Sequence, residues 1–217
     1  MSQRLRQKAI FYPGDWEPCH LHGTLDEMAR MKLYDGLQWP KGGGILIDAG
    51  ASIGLVTAQL QPQARHIYAL EADPAIFRVL VQNVTYNRWR NVTPFSFALA
   101  DYDGTAVLYR EDGNPFGATI LMPLSRDKVT VTAKRLSTFM REQGIERVDL
   151  LKLDVEGAEH AIVAEESFAD VAPHIGSILM ECHYLDVRPT VERIRDLGFR
   201  DLVRPFGPKD IVAFRRC

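Results

Sequence analysis

Apolar runs that end in acids or glycines alternate with helix-like stretches along residues 44–200. The runs predict strands at 45–48, 66–71, 92–97, 148–154 and 177–183. The stretches between and after them predict helices at 53–60, 76–86, 137–143, 158–166 and 187–197. Strands that alternate with helices in this way are typical of an α/β fold, in which a mostly parallel sheet carries helices on both faces.

The regular alternation breaks at two places. Residues 105–110 and 128–133 alternate in the manner of strands with no long helix between them, which predicts an antiparallel insertion. The chain closes with strand-like runs at 200–204 and 211–215, joined through a Pro-Phe-Gly-Pro segment at 205–208. A junction of this composition predicts a hairpin loop, so the closing pair suggests an antiparallel edge to the sheet.

A glycine-rich corner follows the first predicted strand, with Asp48, Gly50, Ser52 and Gly54. Free N–H groups at a helix start, and glycines that let the backbone approach a ligand, favour a nucleotide-like molecule there. The dinucleotide fingerprint G-x-G-x-x-G needs a glycine where Ser52 stands, and a carboxylate at Asp48 would oppose bound phosphate. The corner therefore favours a cationic ligand that has no phosphate.

Glu71 ends the second predicted strand, where its carboxylate can accept both hydroxyls of a ribose. S-adenosylmethionine and NAD both carry a ribose, so Glu71 alone does not discriminate between them. Asp48 and Glu71 also fit simpler roles, as helix caps or turn residues. Because both acids end successive strands beside the glycines, we favour ligand binding, with S-adenosylmethionine as the ligand.

Composition narrows the classes of protein that the chain can belong to. It has 217 residues, of which 46% are hydrophobic and 25% charged, and its net charge is −2. These values are typical of a soluble globular protein without a basic field for nucleic acid. Cys19, Cys182 and Cys217 have no paired spacing, and no signal-like segment or membrane-spanning stretch is present, so we expect a cytoplasmic location and no membrane partner. The oligomeric state is not predicted.

Four segments resemble the motifs of one methyltransferase family. They read IDAGASIG at 47–54, LEAD at 70–73, VDLLKLDVEGAE at 148–159 and LMECH at 179–183. In order and spacing they are similar to the FkbM-type methyltransferases, which depend on S-adenosylmethionine; one departure is Ser52, where the family usually has Asn. The resemblance implies a Rossmann-like class I methyltransferase domain at 41–217, with a mostly parallel seven-stranded sheet and an antiparallel C-terminal hairpin. Residues 1–40 would form a separate N-terminal arm or lid.

The resemblance also implies how the cofactor would be held. Gly50 and Gly54 would pass close to its methionine portion, and Asp48 would lie near its ammonium group. Ala98, just after the third strand, or Asp101 would meet the adenine, although residues 101–104 also suit an ordinary turn. The full implied set is Asp48, Gly50, Ser52, Gly54, Glu71, Ala72, Ala98, Asp101 and Asp154.

Four charged residues near the ends of the fourth and fifth predicted strands are candidates for catalysis: Lys152, Asp154, Glu181 and His183. Ligands gather at the carboxyl ends of parallel strands. Methylation of a hydroxyl removes its proton, and a histidine with a pKa near neutrality is suited to accept it. We therefore expect His183 to be the general base and Asp154 to position substrate or cofactor; a purely structural histidine is the alternative. Lys152 and Glu181 are expected to form a buried ion pair that orients the strand ends.

A metal-dependent version would use the same strand ends. Asp154, Glu181 and His183 offer oxygen and nitrogen ligands, but Mg²⁺ prefers oxygen, so a divalent metal is the less favoured reading. Glu156 and Glu159 fall in the first turn of the following helix, where acids suit the helix dipole. We expect structural roles for both, with a position facing the site as the alternative for Glu156.

The predicted function is S-adenosylmethionine-dependent methylation of a hydroxyl on a small molecule, such as a secondary metabolite or a sugar. An RNA ribose methyltransferase using Lys152, Asp154 and Glu181 is an alternative that the acidic balance disfavours. A cofactor-binding regulatory protein and a nucleotide-dependent oxidoreductase stay open. We expect residues 9–40 to cover the cofactor and help select the substrate, and residues 111–117 to form either a second lip or a plain turn.

Overall fold

A computed structural model describes residues 40–111, 114–123, 126–203 and 210–217 of the chain. The predictions for residues 1–39 and for the junction at 205–208 lie outside the described residues.

The main sheet has seven strands and confirms the predicted mostly parallel architecture. Six strands run in one direction, and the last strand of the chain lies antiparallel between two of them. The C-terminal pair therefore forms one edge of the sheet, as predicted. In spatial order the strands are β10 (Phe199–Val203), β11 (Asp210–Arg216), β9 (Ser177–Cys182), β8 (Leu150–Leu153), β1 (Gly44–Ala49), β2 (Ala64–Glu71) and β3 (Val92–Ser96).

A second, four-stranded sheet follows β3 and confirms the predicted insertion. In spatial order it contains β4 (Ala98–Leu99), β7 (Lys128–Lys134), β5 (Gly104–Glu111) and β6 (Asn114–Thr119). Strand β5 pairs antiparallel with both β6 and β7. Ala98 lies just after β3, as expected, and begins β4. One local expectation was wrong, because residues 114–117 of the segment expected to form a lip or a plain turn belong to β6.

Helices cover both faces of the main sheet. They are α1 (Leu55–Leu60), α2 (Pro74–Tyr86), α3 (Leu136–Gln143), α4 (Glu159–Ala164), α5 (Glu166–Val171) and α6 (Arg188–Asp196), with a short 3₁₀ turn at Ala172–His174. The single helix predicted at 158–166 was wrong, because Glu165 adopts an extended conformation that separates α4 from α5.

The central strands are buried on both faces. Along β1, Leu46 packs in the cluster that contains α1 and α2, whereas Ile47 packs in the cluster that contains α3 to α6. Strands buried in this way read as continuous apolar runs, so a charged side chain within them is costly unless it is paired. Asp48 and Lys152 are directly opposite each other on β1 and β8, and they are 0% and 5% exposed. Their position marks the edge of the candidate site.

Candidate active site

The glycine corner packs tightly on the end of the neighbouring strand. Gly50 and Ala51 both donate backbone hydrogen bonds to the carbonyl of Leu70, at 3.0 and 2.9 Å. Gly50 has a φ of +74°, and a Cβ atom there would lie 1.7 Å from the carbonyl oxygen of Asp154. Glycine is therefore required by the close approach of the two backbones. Gly54 has a φ of +90° and immediately precedes α1.

Glu71 joins the corner to the start of α2. Its Oε2 accepts a hydrogen bond from the Ser52 N–H at 2.8 Å, and its Oε1 accepts one from the Asp73 N–H at 2.7 Å. Burial raises the pKa of Glu71 to about 7, although both hydrogen bonds oppose the rise. Ser52 has a φ of +51°, which is uncommon for a residue other than glycine. Both sequence-predicted residues therefore meet at the carboxyl end of β2.

Asp48 and Lys152 form a buried network beneath the corner. The Thr57 hydroxyl donates to Asp48 Oδ2 at 2.6 Å, and Lys152 Nζ lies 3.3 Å from Asp48 Oδ1. Lys152 also donates to the carbonyl oxygen of Gly50 at 2.9 Å and lies 3.2 Å from Asp154 Oδ2. Lys152 thus ties the corner to the end of β8. Because Asp48 is sealed from solvent, it orients Thr57 and Lys152 in this structure.

His183 follows β9 and lies among four carboxylates. Its Nδ1 is 3.1 Å from Glu159 Oε1, and its Nε2 is 3.5 Å from Glu181 Oε1, 3.6 Å from Glu156 Oε2 and 4.0 Å from Asp154 Oδ1. Burial lowers the pKa of His183, but hydrogen bonds to Glu159 and Glu181 and the charge of Glu156 outweigh it and raise the pKa to about 11. These surroundings favour the protonated form of the imidazole.

The carboxylates around His183 are themselves perturbed. Burial raises the pKa of Asp154, which the nearby Lys152 lowers in part. Burial also raises the pKa of Glu156 to about 7, and the charges of Asp154, Glu159 and Glu181 add to the rise. Perturbed pKa values of this kind cluster at functional sites.

Three of these residues meet the geometric requirement for binding a cation. Asp154, Glu159 and His183 each bring one ligand atom within 4.8 Å of the others. This set contains Glu159 in place of the Glu181 expected from the sequence. Glu159 is fully buried, and its two oxygens accept the N–H groups of Val155 and Gly157 at 2.8 and 2.9 Å. Those oxygens already serve the turn that leads into α4.

The residues expected near the adenine differ in how far they are exposed. Ala98 is 6% exposed and packs in the core of the second sheet, with Ala72 against the same cluster. Asp101 is partly exposed, and its carbonyl oxygen accepts a hydrogen bond from Arg135 Nε at 3.0 Å. Of this pair, Asp101 is the residue that a ligand reaches more readily, and its contact with adenine stays a prediction.

The Methyltransferase FkbM domain family matches residues 48–200. The chain belongs to the FkbM methyltransferase family. The matched segment includes all the candidate residues from Asp48 to His183, so the structural cluster at the strand ends lies inside the methyltransferase domain. The resemblance seen in the sequence is thereby confirmed.

Relatives of this FkbM-family chain support the same assignment. It is 30% identical over 197 residues to methyltransferase sdnD of Sordaria araneosa, covering 73% of this chain and 74% of the relative. It is 26% identical over 190 residues to 31-O-demethyl-FK506 methyltransferase FkbM of Streptomyces tacrolimicus, covering 72% and 73%. A crystal structure of methyltransferase FkbM from Methylobacillus flagellatus KT shares the fold, with a TM-score of 0.57 and 13% identity, over 80% of this chain and 43% of that one. The chain therefore spans less than half of that solved protein.

Sequence reasoning on this FkbM-family chain left open whether Glu156 faces the site, and it missed the contacts that Glu159 and Tyr184 make with His183. Glu156 and Gly157 have φ values of +54° and +113°, so the segment after β8 turns back before α4 begins. The Asp-Val-Glu-Gly-Ala-Glu order contains the acids, but the turn that gathers them is not a helical one. Among the described residues, no helix has the length and apolar character needed to cross a membrane.

Proposed function

We propose that this chain transfers a methyl group from S-adenosylmethionine to a hydroxyl group of a small molecule. The observation that carries the proposal is a pair of partly exposed carboxylates, Glu71 and Asp154, at the ends of the two strands that flank β1 beside the glycine corner. Carboxylates in this position disfavour a pyrophosphate and favour a cationic ligand. S-adenosylmethionine supplies, when bound, a methyl group on a positively charged sulfonium.

The cofactor-holding residues are those around Glu71. A carboxylate can accept about four hydrogen bonds, and two are described for Glu71, so it retains capacity for ribose hydroxyls. Ser52 and Gly54 lie in the adjoining corner, and Asp101 is the proposed partner of the adenine. Asp48 acts from below, through the Lys152 side chain that fixes both Gly50 and Asp154.

Both ring nitrogens of His183 face carboxylates, and this favours the protonated imidazole. A protonated imidazole would have to release its own proton before it could act as the general base expected from the sequence. We propose instead that the His183 imidazolium holds Asp154, Glu156 and Glu181 together at the acceptor. One of these carboxylates would take the hydroxyl proton as the hydroxyl oxygen bonds to the methyl carbon and the methyl–sulfur bond breaks, with S-adenosylhomocysteine as the leaving group.

The acceptor class is supported by the name of one relative. The Streptomyces tacrolimicus protein is a 31-O-demethyl-FK506 methyltransferase, which points to oxygen methylation of a small molecule by that protein. The net charge of −2 favours a small-molecule acceptor, because proteins that bind nucleic acid usually carry a basic surface.

A thermal-shift panel followed by mass spectrometry tests the proposal. S-adenosylmethionine and S-adenosylhomocysteine should raise the melting temperature, whereas NAD should not. Incubation with hydroxylated small molecules should then yield a product heavier by one methyl group. His183→Gln should retain the S-adenosylhomocysteine shift and lose turnover by at least about 100-fold, because the carboxylate cluster loses its central cation. Stabilisation by NAD alone would overturn the proposal.

A cation at Asp154, Glu159 and His183 is the specific alternative that the geometry brings forward. We propose that the reaction needs none, because Glu159 is occupied by two backbone N–H groups and His183. Turnover should persist unchanged in EDTA. If EDTA abolished turnover and added Mg²⁺ restored it, a metal ion rather than the His183 imidazolium would hold the carboxylates together.

A further inference from the structure

We propose that the methyl acceptor is an uncharged, largely apolar alcohol that binds against the exposed faces of Leu121 and Tyr184, and that the neighbouring carboxylates exclude anionic acceptors. The inference rests on the proposed function, since it places the acceptor of that same reaction. It adds a substrate class and a binding surface, which we call the acceptor rim: Leu121, Met122, Gly157, Tyr184 and Leu185.

The topology puts the acceptor rim on the correct side of the sheet. The glycine corner and Glu71 stand at the ends of β1 and β2, so the cofactor side is there. The rim residues Gly157 and Tyr184 follow β8 and β9, on the other side of β1. Ligands of open α/β sheets gather at these strand ends, and an acceptor must meet the cofactor from the unoccupied side.

Leu121 and Tyr184 pack directly on Gly157 and together form one apolar surface. A Cβ atom at Gly157 would lie 2.9 Å from Leu121 Cδ2 and 3.0 Å from Tyr184 Cδ2. Leu121 comes from the segment after β6 and Tyr184 from the segment after β9, so the contact joins two loops. Leu121 and Tyr184 nevertheless remain 41% and 51% exposed, and their neighbours Met122 and Leu185 are 36% and 53% exposed. Contiguous exposed apolar side chains of this kind mark binding sites.

The backbone at Tyr184 is held in a conformation that exposes its ring beside His183. Its φ is +64°, and the Leu185 N–H donates to the carbonyl oxygen of His183 at 2.8 Å, which closes a three-residue turn. Turns of this type are rare and strained for a residue with a side chain. The Tyr184 and His183 ring centroids lie 6.0 Å apart. An acceptor stacked on Tyr184 would therefore have its hydroxyl next to the carboxylate cluster.

The charges that face the rim decide which acceptors fit. Burial and the charges of Glu156, Glu111 and Glu159 raise the pKa of Tyr184, so its surroundings are negative. The nearby cations are already matched with acids: Lys152 contacts Asp48 and Asp154, and His183 contacts four carboxylates. An anionic group on the acceptor would meet this field unpaired, whereas an alcohol would not.

Two probes with the same ring system test the proposal: 2-naphthalenemethanol, which is uncharged, and 2-naphthoate, which is anionic. Their dissociation constants are measured by ligand-observed NMR on the full chain at pH 7.5, with and without S-adenosylhomocysteine. The alcohol should bind at least about tenfold more tightly than the carboxylate. Tyr184→Ala should weaken alcohol binding at least about fivefold. Tyr86→Ala is the matched control, because Tyr86 is 61% exposed on α2 and should leave binding unchanged.

Glu156→Gln tests whether the anionic probe is excluded by the charge of the site or by its shape. Removing this carboxylate should improve 2-naphthoate binding severalfold and change alcohol binding little. Equal affinities for the two probes, undetectable binding of both, or an unaffected Tyr184→Ala variant would each overturn the proposal. These readouts need no turnover, so a chain that binds the alcohol as expected and never methylates any hydroxyl would refute the proposed function and leave the acceptor rim standing.

Discussion

Gly50 shows how closely the glycine corner packs on the strand beside it. A side chain there would run into the backbone carbonyl of Asp154, which cannot move aside as a flexible side chain can. We expect Gly50→Ala to lower the free energy of unfolding by at least about 3 kcal/mol, measured by urea unfolding. Gly42→Ala is the matched control, because Gly42 has a φ of +92° with nothing within 4 Å of an added Cβ. It should cost only about 1–2 kcal/mol, and equal losses would contradict the packing argument.

The raised pKa of Glu71 makes stability depend on pH. Below its ordinary value of 4.5 the carboxyl is protonated whether the chain is folded or not, and its contribution is fully present. As the pH rises towards the folded value of about 7, the unfolded chain ionises first, so that contribution is progressively lost.

We expect Glu71→Gln to flatten the fall in stability between pH 4.5 and 7 by about 1–3 kcal/mol, measured by urea unfolding at several pH values. The amide also meets the N–H groups of Ser52 and Asp73 less well, but that cost does not vary with pH. Glu146→Gln, at an exposed position, is the control and should leave the slope nearly unchanged. An unaltered slope in Glu71→Gln would show that other groups set the pH dependence.

The strands were predictable at the level of elements because each carries a buried apolar run with a clear end. Every strand of the main sheet was expected close to its observed position, since strand burial on both faces leaves an obvious signal. The second sheet was only partly foreseen, because β4 has two residues and β6 contains Gly and Pro. The break at Glu165 was missed since its neighbours suit a helix and tertiary packing decides the separation.

The turn after β8 explains why the candidate site was predicted incompletely. Asp154 and His183 could be placed from the rule that ligands gather at strand ends. Glu159 does lie in the first turn of α4, as expected, but the left-handed conformations of Glu156 and Gly157 delay that helix, so that Glu156 precedes it. Both acids then lie beside His183. Propensity alone does not reveal such a turn, because residues other than glycine rarely adopt it.

A buried side-chain amide attaches helix α2 to the glycine corner. Asn83 is 0% exposed, and its Nδ2 donates to the carbonyl oxygen of Ile53 at 2.9 Å. Asn83→Ala leaves that carbonyl without its partner, so we expect a loss of about 1–3 kcal/mol in the free energy of unfolding. Gln82→Ala, at the exposed preceding position of the same helix, should change stability by less than about 0.5 kcal/mol. Similar effects of both variants would remove the special role of Asn83.

At the scale of the whole molecule, the strand order separates the glycine corner and Glu71, at the ends of β1 and β2, from the carboxylates around His183, at the ends of β8 and β9. Lys152 links them, because it contacts both Gly50 and Asp154. We propose that the first is the cofactor side and the second the acceptor side. Because Lys152 holds both strand ends in place whether or not a ligand is bound, each side should lose its ligand without disturbing the other.

Glu71→Gln and Tyr184→Ala should therefore each weaken the binding of a different ligand. Ligand at 100 times its dissociation constant stabilises a protein by about 2.7 kcal/mol, which corresponds to roughly 5–10 °C in melting temperature for a chain of this size. We expect S-adenosylhomocysteine to produce this shift in Tyr184→Ala and little of it in Glu71→Gln. Binding of 2-naphthalenemethanol should be kept in Glu71→Gln and weakened in Tyr184→Ala. If either variant lost both ligands while remaining folded by circular dichroism, the two sides would have to be treated as one site, and the separation drawn from the strand order would be wrong.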